Sequence, residues 1–329
     1  MQINNKLIID SIRNFEQHPS FQILYDFEDD LANALNSGIN CISQNKYKMG
    51  KILYKSLPFN NYSIKNDAFF HFSILMTPDY HRLYLNKHQT IPYVIDYWKK
   101  HDEIFERYFV HFPLVYISGL EVFEYLIAKK TKVNIKHLPL SVSDKYMNNF
   151  NKENPLKKYD IINVGRKNKQ LEEYLKMYLA KYPDTDYVYR EFEHGENIYF
   201  STKSGRIGKL ELREDLLHII SLAKIALLSS PGLDGGEVRT GGFNPVTPRV
   251  FEAALGKCFM TGRYLKNNEF HAFGLNELVY LPDTYQQFED YINEKKTITF
   301  DKSTEYQTFL QKNLNSIRIK QIMQDLTQL

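Results

Sequence analysis

Short apolar runs rich in β-branched and aromatic residues alternate with amphipathic stretches along most of the chain. That alternation predicts βα units built around parallel sheets. In the first half the runs predict strands at 21–25, 68–76, 91–96, 114–118 and 133–138, with helices at 29–36, 99–108 and 121–130. The last helix carries Val122, Tyr125 and Leu126 at helical spacing, as a helix covering a sheet should. Residues 141–158, SVSDKYMNNFNKENPLKK, are polar with a single proline and read as a connection between domains. The rhythm then restarts, with strands at 159–164, 186–191, 225–229 and 258–261, helices at 168–182, 214–223 and 247–255, and a mostly helical tail over 285–329. The expected architecture is α/β, with two Rossmann-like doubly wound domains, 1–145 and 146–329, facing a cleft.

Composition narrows this picture. A chain of 329 residues is long enough for two mid-sized domains, and 43% hydrophobic residues can fill their cores. Lys and Arg number 42 against 39 Asp and Glu, a net +3, which argues against a nucleic-acid binder. Cys41 and Cys258 lie far apart and form no CxxC pair, as expected of a reducing cytoplasm. No run approaches the ~18 apolar residues of a membrane span, and the first residues carry no apolar core of a signal peptide, so a cytoplasmic protein is expected. A pI of about 8.5 suits a loose peripheral contact with an anionic membrane.

Several familiar motifs are absent or incomplete. No G-x-G-x-x-G follows a strand. SGRIGKL (204–210) lacks the first glycine of a phosphate loop and has Leu210 where the Mg²⁺-binding hydroxyl belongs. No metal-ligand spacing joins the histidines, so no metal is expected. Asp184 and Asp186 form a D-x-D after Pro183, where a helix-to-strand turn accounts for them.

Two segments of the second half carry more. In DIINVGRKNKQLEEYL a strand ends at Gly165 and is followed by Arg166, Lys167 and Lys169 at a helix start. Glycine lets the backbone approach a ligand, and a helix N-terminus with cations makes a diphosphate site. The alternative is a plain turn with solvated basic residues. In GGFNPVTPRVFEAALGKCFMTGRY a Gly-rich loop enters a helix with Arg249 and Glu252 three residues apart on one face. That carboxylate can accept ribose hydroxyls while Arg249 faces phosphates. The alternative is a surface ion pair.

Together the two segments resemble the nucleotide-binding half of glycosyltransferases of the GT-B fold, in the group of CgeB-like and family-four-type enzymes. The resemblance covers roughly 90–281, and the helical tail fits it as well, since the resemblance implies C-terminal helices crossing back to the first domain. It implies Arg166 and Lys169 on the donor diphosphate, beside Gly165, and Glu252 on the ribose. The family-four pattern has a second Glu eight residues earlier; here that position is Asn244, with Glu237 in the same loop as a substitute. TIPYVIDYW resembles an acceptor-domain strand followed by a catalytic side chain, here Asp96, with His71 behind it as a second candidate base or, within its apolar run, a core histidine.

The function so implied is metal-independent transfer of a sugar from a nucleoside-diphosphate sugar, a co-substrate and not a cofactor, to a glycan or lipid-linked acceptor in cell-surface polysaccharide synthesis. A nucleotide-sugar 2-epimerase of the same fold and a silent binding or assembly subunit are the alternatives.

Overall fold

The computed structural model describes residues 7–45, 70–78, 87–150 and 156–329. The chain divides into two compact units, 1–143 with 313–329, and 144–312. The helical tail is divided between them, and its last segment, 313–329, belongs to the first unit, in keeping with C-terminal helices that cross back from an expected second domain of 146–329.

In the first unit six parallel strands form one sheet: β1 (Leu7–Ser11), β2 (Gly38–Cys41), β3 (Phe70–Leu75), β4 (Thr90–Val94), β5 (Val115–Ile117) and β6 (Ile135–His137). Their order is β2-β1-β3-β4-β5-β6. Helices α1 (Gln22–Leu35), α2 (Asp102–Phe109) and α3 (Leu120–Ala128) connect them. The expected strand at 21–25 is the first turn of α1. Its aromatic, apolar run suggests a strand, yet Ile23, Leu24, Phe27 and Leu31 are all buried at helical spacing, and the helix extends to a left-handed cap at Asn36. Strands β1 and β2 lie outside the sequence reading altogether. Of the strand expected at 68–76, residues 68 and 69 lie outside the described residues.

The last helix of the chain, Asn315–Leu326, belongs to this unit. Asp325 accepts from the buried Tyr116 hydroxyl at 2.8 Å and from Lys136 Nζ at 2.5 Å. Asn315 Oδ1 accepts from Ser141 Oγ at 2.7 Å, and its Nδ2 donates to Asp30 at 2.8 Å.

The second unit holds β7 (Tyr159–Asn163), β8 (Tyr187–Glu193), β9 (Glu196–Ser201), β10 (Gly205–Lys209), β11 (Ala223–Ser229), β12 (Phe259–Arg263) and β13 (Val279–Tyr280), ordered β10-β9-β8-β7-β11-β12-β13. Strands β8, β7, β11, β12 and β13 run parallel, while β9 and β10 add an antiparallel hairpin at the β8 edge. The glycine-bearing stretch 204–210, inspected above as a phosphate loop, supplies this edge strand. Its helices include α4 (Lys169–Lys181), α5 (Arg213–Ser221), α6 (Glu237–Thr240), α7 (Arg249–Leu255), α8 (Tyr285–Thr297) and α9 (Ser303–Lys312).

Ile161, Ile225, Leu227 and Phe259 project from one face of this sheet into Leu171, Leu175 and Tyr178 of α4 and Phe288 and Ile292 of α8. Residues two apart on a strand share a face, so these continuous apolar runs serve a sheet covered on both sides. Both units are doubly wound α/β structures, the expected fold class. No helix among the described residues is long and apolar enough to cross a membrane.

Candidate functional site

In an open parallel sheet, ligands bind beyond the carboxyl ends of the strands where the strand order reverses, because the flanking loops diverge there and leave a crevice. In the second unit that point lies between β7 and β11. A pocket of 370 Å³ occupies it, lined by residues 166–169 after β7 and by 229–231 and 233–236 at and after the end of β11, with Glu172 and Arg239.

The β7 side is built from a tight turn and a capped helix. Asn163 Oδ1 accepts from the Gly165 amide at 3.2 Å. Asn168 is the N-cap of the 13-residue α4, its Oδ1 accepting from Leu171 N at 3.1 Å. Arg166, Lys167 and Lys169 are exposed around that helix start, so three cations and a positive helix end converge on one crevice. Lys167 pairs loosely with Glu172 at 3.6 Å, both largely solvated.

The β11 side is held close by glycines. A Cβ on Gly232 would fall 2.1 Å from the Phe243 carbonyl oxygen, and one on Gly236 2.0 Å from that of Pro231. Arg239 donates to the Pro231 carbonyl at 2.9 Å. Asp234 receives Asn168 Nδ2 at 2.9 Å and Arg263 Nε at 3.1 Å. Burial pushes its carboxyl up, but these hydrogen bonds outweigh that and hold it below the ordinary carboxylate range.

Arg249 lies on the other side of the β7 turn, its Cγ 3.7 Å from where a Cβ on Gly165 would stand. It binds Glu252 Oε2, while the wholly buried Arg213 donates to Oε1 at 2.9 Å. Glu252 is therefore enclosed, 2% exposed, between two guanidiniums, and does not present a carboxylate to a ribose. Burial opposes its ionisation, but Arg249 and Arg213 prevail and its pKa is lowered. Arg190, on β8, reaches the Gly165 carbonyl at 3.4 Å, a contact invisible without knowing that β8 neighbours β7.

Asn244 and Glu237 do internal work in the loop. Buried Asn244 accepts from Ser230 Oγ at 3.1 Å and donates to the Gly242 carbonyl at 2.7 Å. Glu237 accepts from the Gly235 amide at 2.9 Å. Neither lines the pocket. The D-x-D forms a turn, with Asp186 accepting from Ser201 Oγ at 2.6 Å.

In the first unit, Asp96 follows the carboxyl end of β4, half-buried, its amide donating to the Met76 carbonyl at 2.6 Å. His71 pairs in register with Thr90, at the opposite end of the sheet. At ~3.3 Å per residue that separates it from Asp96 by roughly 20 Å. Its Nδ1 lies 3.2 Å from Asp10 on the adjacent β1, so the two candidate bases, Asp96 and His71, do not share one site. Close to Asp96, Asp102 accepts from Tyr97 at 2.7 Å, from Tyr125, and from Lys129 at 2.9 Å. Burial lowers the neighbouring His101 to about 4, which keeps it neutral at pH 7. Among the described residues no group of three or more His, Cys, Asp or Glu could hold a metal ion.

No family model and no curated protein matches the chain. Three of the solved structures similar to it show the range. The GtfA/B complex shares 12% identity over 78% of this chain and 57% of its own, with a TM-score of 0.46. The pneumococcal O-GlcNAc transferase GtfA in complex with UDP and GlcNAc shares 11% over 78% and 56%, at 0.44. A mutant of the T4 phage protein BGT in complex with UDP-glucose shares 14% over 97% of each chain, at 0.46. The chain thus spans little more than half the length of the first two.

Proposed function

We propose that this chain is a glycosyltransferase that binds a nucleoside-diphosphate sugar by its diphosphate at the switch-point pocket of the second unit. The observation that carries this reading is the convergence of Arg166, Lys167 and Lys169 on the N-terminal end of α4 within that pocket. As the bond from anomeric carbon to diphosphate breaks, negative charge grows on the departing oxygens. Cations and amides already in place stabilise that charge without reorganising. They supply the countercharge a divalent ion would otherwise bring, so turnover is expected to persist in EDTA.

The acceptor is a glycan or a lipid-linked saccharide of cell-surface polysaccharide synthesis. Asp96 is the candidate base that takes the proton of its attacking hydroxyl. Glu252 enters as the anchor of Arg249 and Arg213, and His71 has no part. The resemblance of 160–169 and 247–261 to nucleotide-sugar enzymes supports transfer over mere anion binding.

Binding is tested by thermal shift with UDP, GDP, CDP, ADP and dTDP, with and without EDTA, since a ligand of the native state raises Tm by mass action. One diphosphate is expected to raise Tm irrespective of EDTA. Arg166→Ala is expected to weaken that affinity roughly 10- to 100-fold, the worth of one charge-assisted hydrogen bond. No shift with any diphosphate would remove the assignment. Binding without sugar transfer or hydrolysis would leave a silent binding subunit.

A further inference from the structure

Segments leaving the carboxyl ends of three neighbouring strands meet at a single carboxylate in this pocket. Asp234, in the loop after β11, takes the left-handed backbone at φ 50°, a conformation Asp and Asn tolerate better than other side chains. Its Oδ2 accepts from Asn168 Nδ2 beyond β7 and from Arg263 Nε at the end of β12, and its Oδ1 from Arg263 Nη2 at 3.4 Å. Each partner is itself fixed. Asn168 cannot flip without uncapping α4, because its Oδ1 already holds Leu171 N. Arg263 receives the Ser230 amide on its carbonyl at 2.9 Å, at the root of the same loop.

A carboxylate in the wall of an anion pocket opposes the ligand by simple Coulomb repulsion. Its presence therefore calls for a compensating role, and the three-way tie supplies one. We propose that Asp234 is a positioning residue for the diphosphate: it touches no phosphate, but clamps the loop 229–236 to the start of α4 and so sets the width of the crevice that Arg166 and Lys169 face. This inference rests on the reading of the pocket as a diphosphate site. The same pairing engages Arg263, so that its charge serves the clamp and not the ligand.

The sign of one affinity change tests it. Asp234→Asn keeps the left-handed backbone and nearly the same shape, and removes the negative charge. If Asp234 only contributes charge, binding of an anion tightens; if it only stabilises the fold, binding is unchanged and Tm falls. If it positions the crevice, binding weakens. The full-length protein is titrated calorimetrically with inorganic pyrophosphate and with the nucleoside diphosphate that gives the largest thermal shift. Asp234→Asn is expected to weaken both by at least about tenfold with a wild-type circular dichroism spectrum.

The swap Asn168→Asp with Asp234→Asn restores the net charge and the bond between positions 168 and 234 with donor and acceptor exchanged, and Asp caps a helix as well as Asn; it gives up the Arg263 Nε bond, because in the wild type one oxygen, Asp234 Oδ2, accepts both. It is expected to recover part of the lost affinity, at least about threefold over Asp234→Asn alone, as coupled neighbours do. Equal or tighter binding by Asp234→Asn, or a weakening that the swap does not relieve, overturns the proposal while the pocket assignment stands. A wild-type protein that binds neither probe overturns both.

Discussion

Glu252 shows how a residue can sit in a motif and serve it indirectly. Its carboxylate lies between Arg213, which has no exposed side-chain surface, and Arg249, which has 17%. Glu252→Gln is expected to destabilise the protein by about 3–5 kcal/mol, because two guanidiniums lose their counter-charge and one is fully buried. The pH dependence follows from the lowered folded pKa. The stabilisation is present above the unfolded value of about 4.3, and is lost as pH falls through the lower folded value. The gap in urea midpoint between wild type and Glu252→Gln should therefore be full at pH 7 and narrow below pH about 4. A gap that persists undiminished at low pH would show that the ion pair is not its source.

At the level of elements, the pocket depends on how closely the loop after β11 can fold upon itself. Gly232 meets the Phe243 carbonyl, Thr240 Oγ1 at 2.7 Å and Asn244 Oδ1 at 2.8 Å at the position of an added Cβ. Gly232→Ala must move that backbone, and is expected to cost about 1–3 kcal/mol as overpacking does and to abolish the diphosphate thermal shift. A variant that binds normally would show that the loop's path does not shape the pocket. The same elements show what was legible beforehand. Strands β4, β5, β7, β11 and β12 are continuous apolar runs because helices cover both faces of their sheets, and they were expected nearly where they lie. The hairpin β9–β10 escaped because an edge strand such as GRIGK has no apolar face to betray it. The start of helix α1 reads as a strand because FQILY is rich in residues that suit either. Arg166 and Lys169 were legible from a strand–glycine–cation motif. Asp234, Arg263 and Arg190 were not, since each comes from a different strand or the loop after it and only the sheet order brings them together.

For the molecule as a whole, the last helix is a structural part of the first unit. Asp325 binds both Tyr116 of β5 and Lys136 of the neighbouring β6. Asp325→Ala leaves a buried hydroxyl without its acceptor, and is expected to lower the stability of the first unit by about 1–3 kcal/mol. The switch-point pocket is lined only by residues of the second unit, so its affinity for the proposed diphosphate is expected to be unaltered; a parallel loss of nucleotide binding would reveal coupling between the units. The division of the chain also sets an order of events during synthesis. Residues 144–312 are contiguous and can fold as they emerge. The first unit must wait, its amino-terminal portion incomplete, until 313–329 have been made, a delay of roughly ten to forty seconds at ~5–20 residues per second. The unit translated first is thus the one finished last, and through that interval it is the portion of the nascent chain most in need of a chaperone.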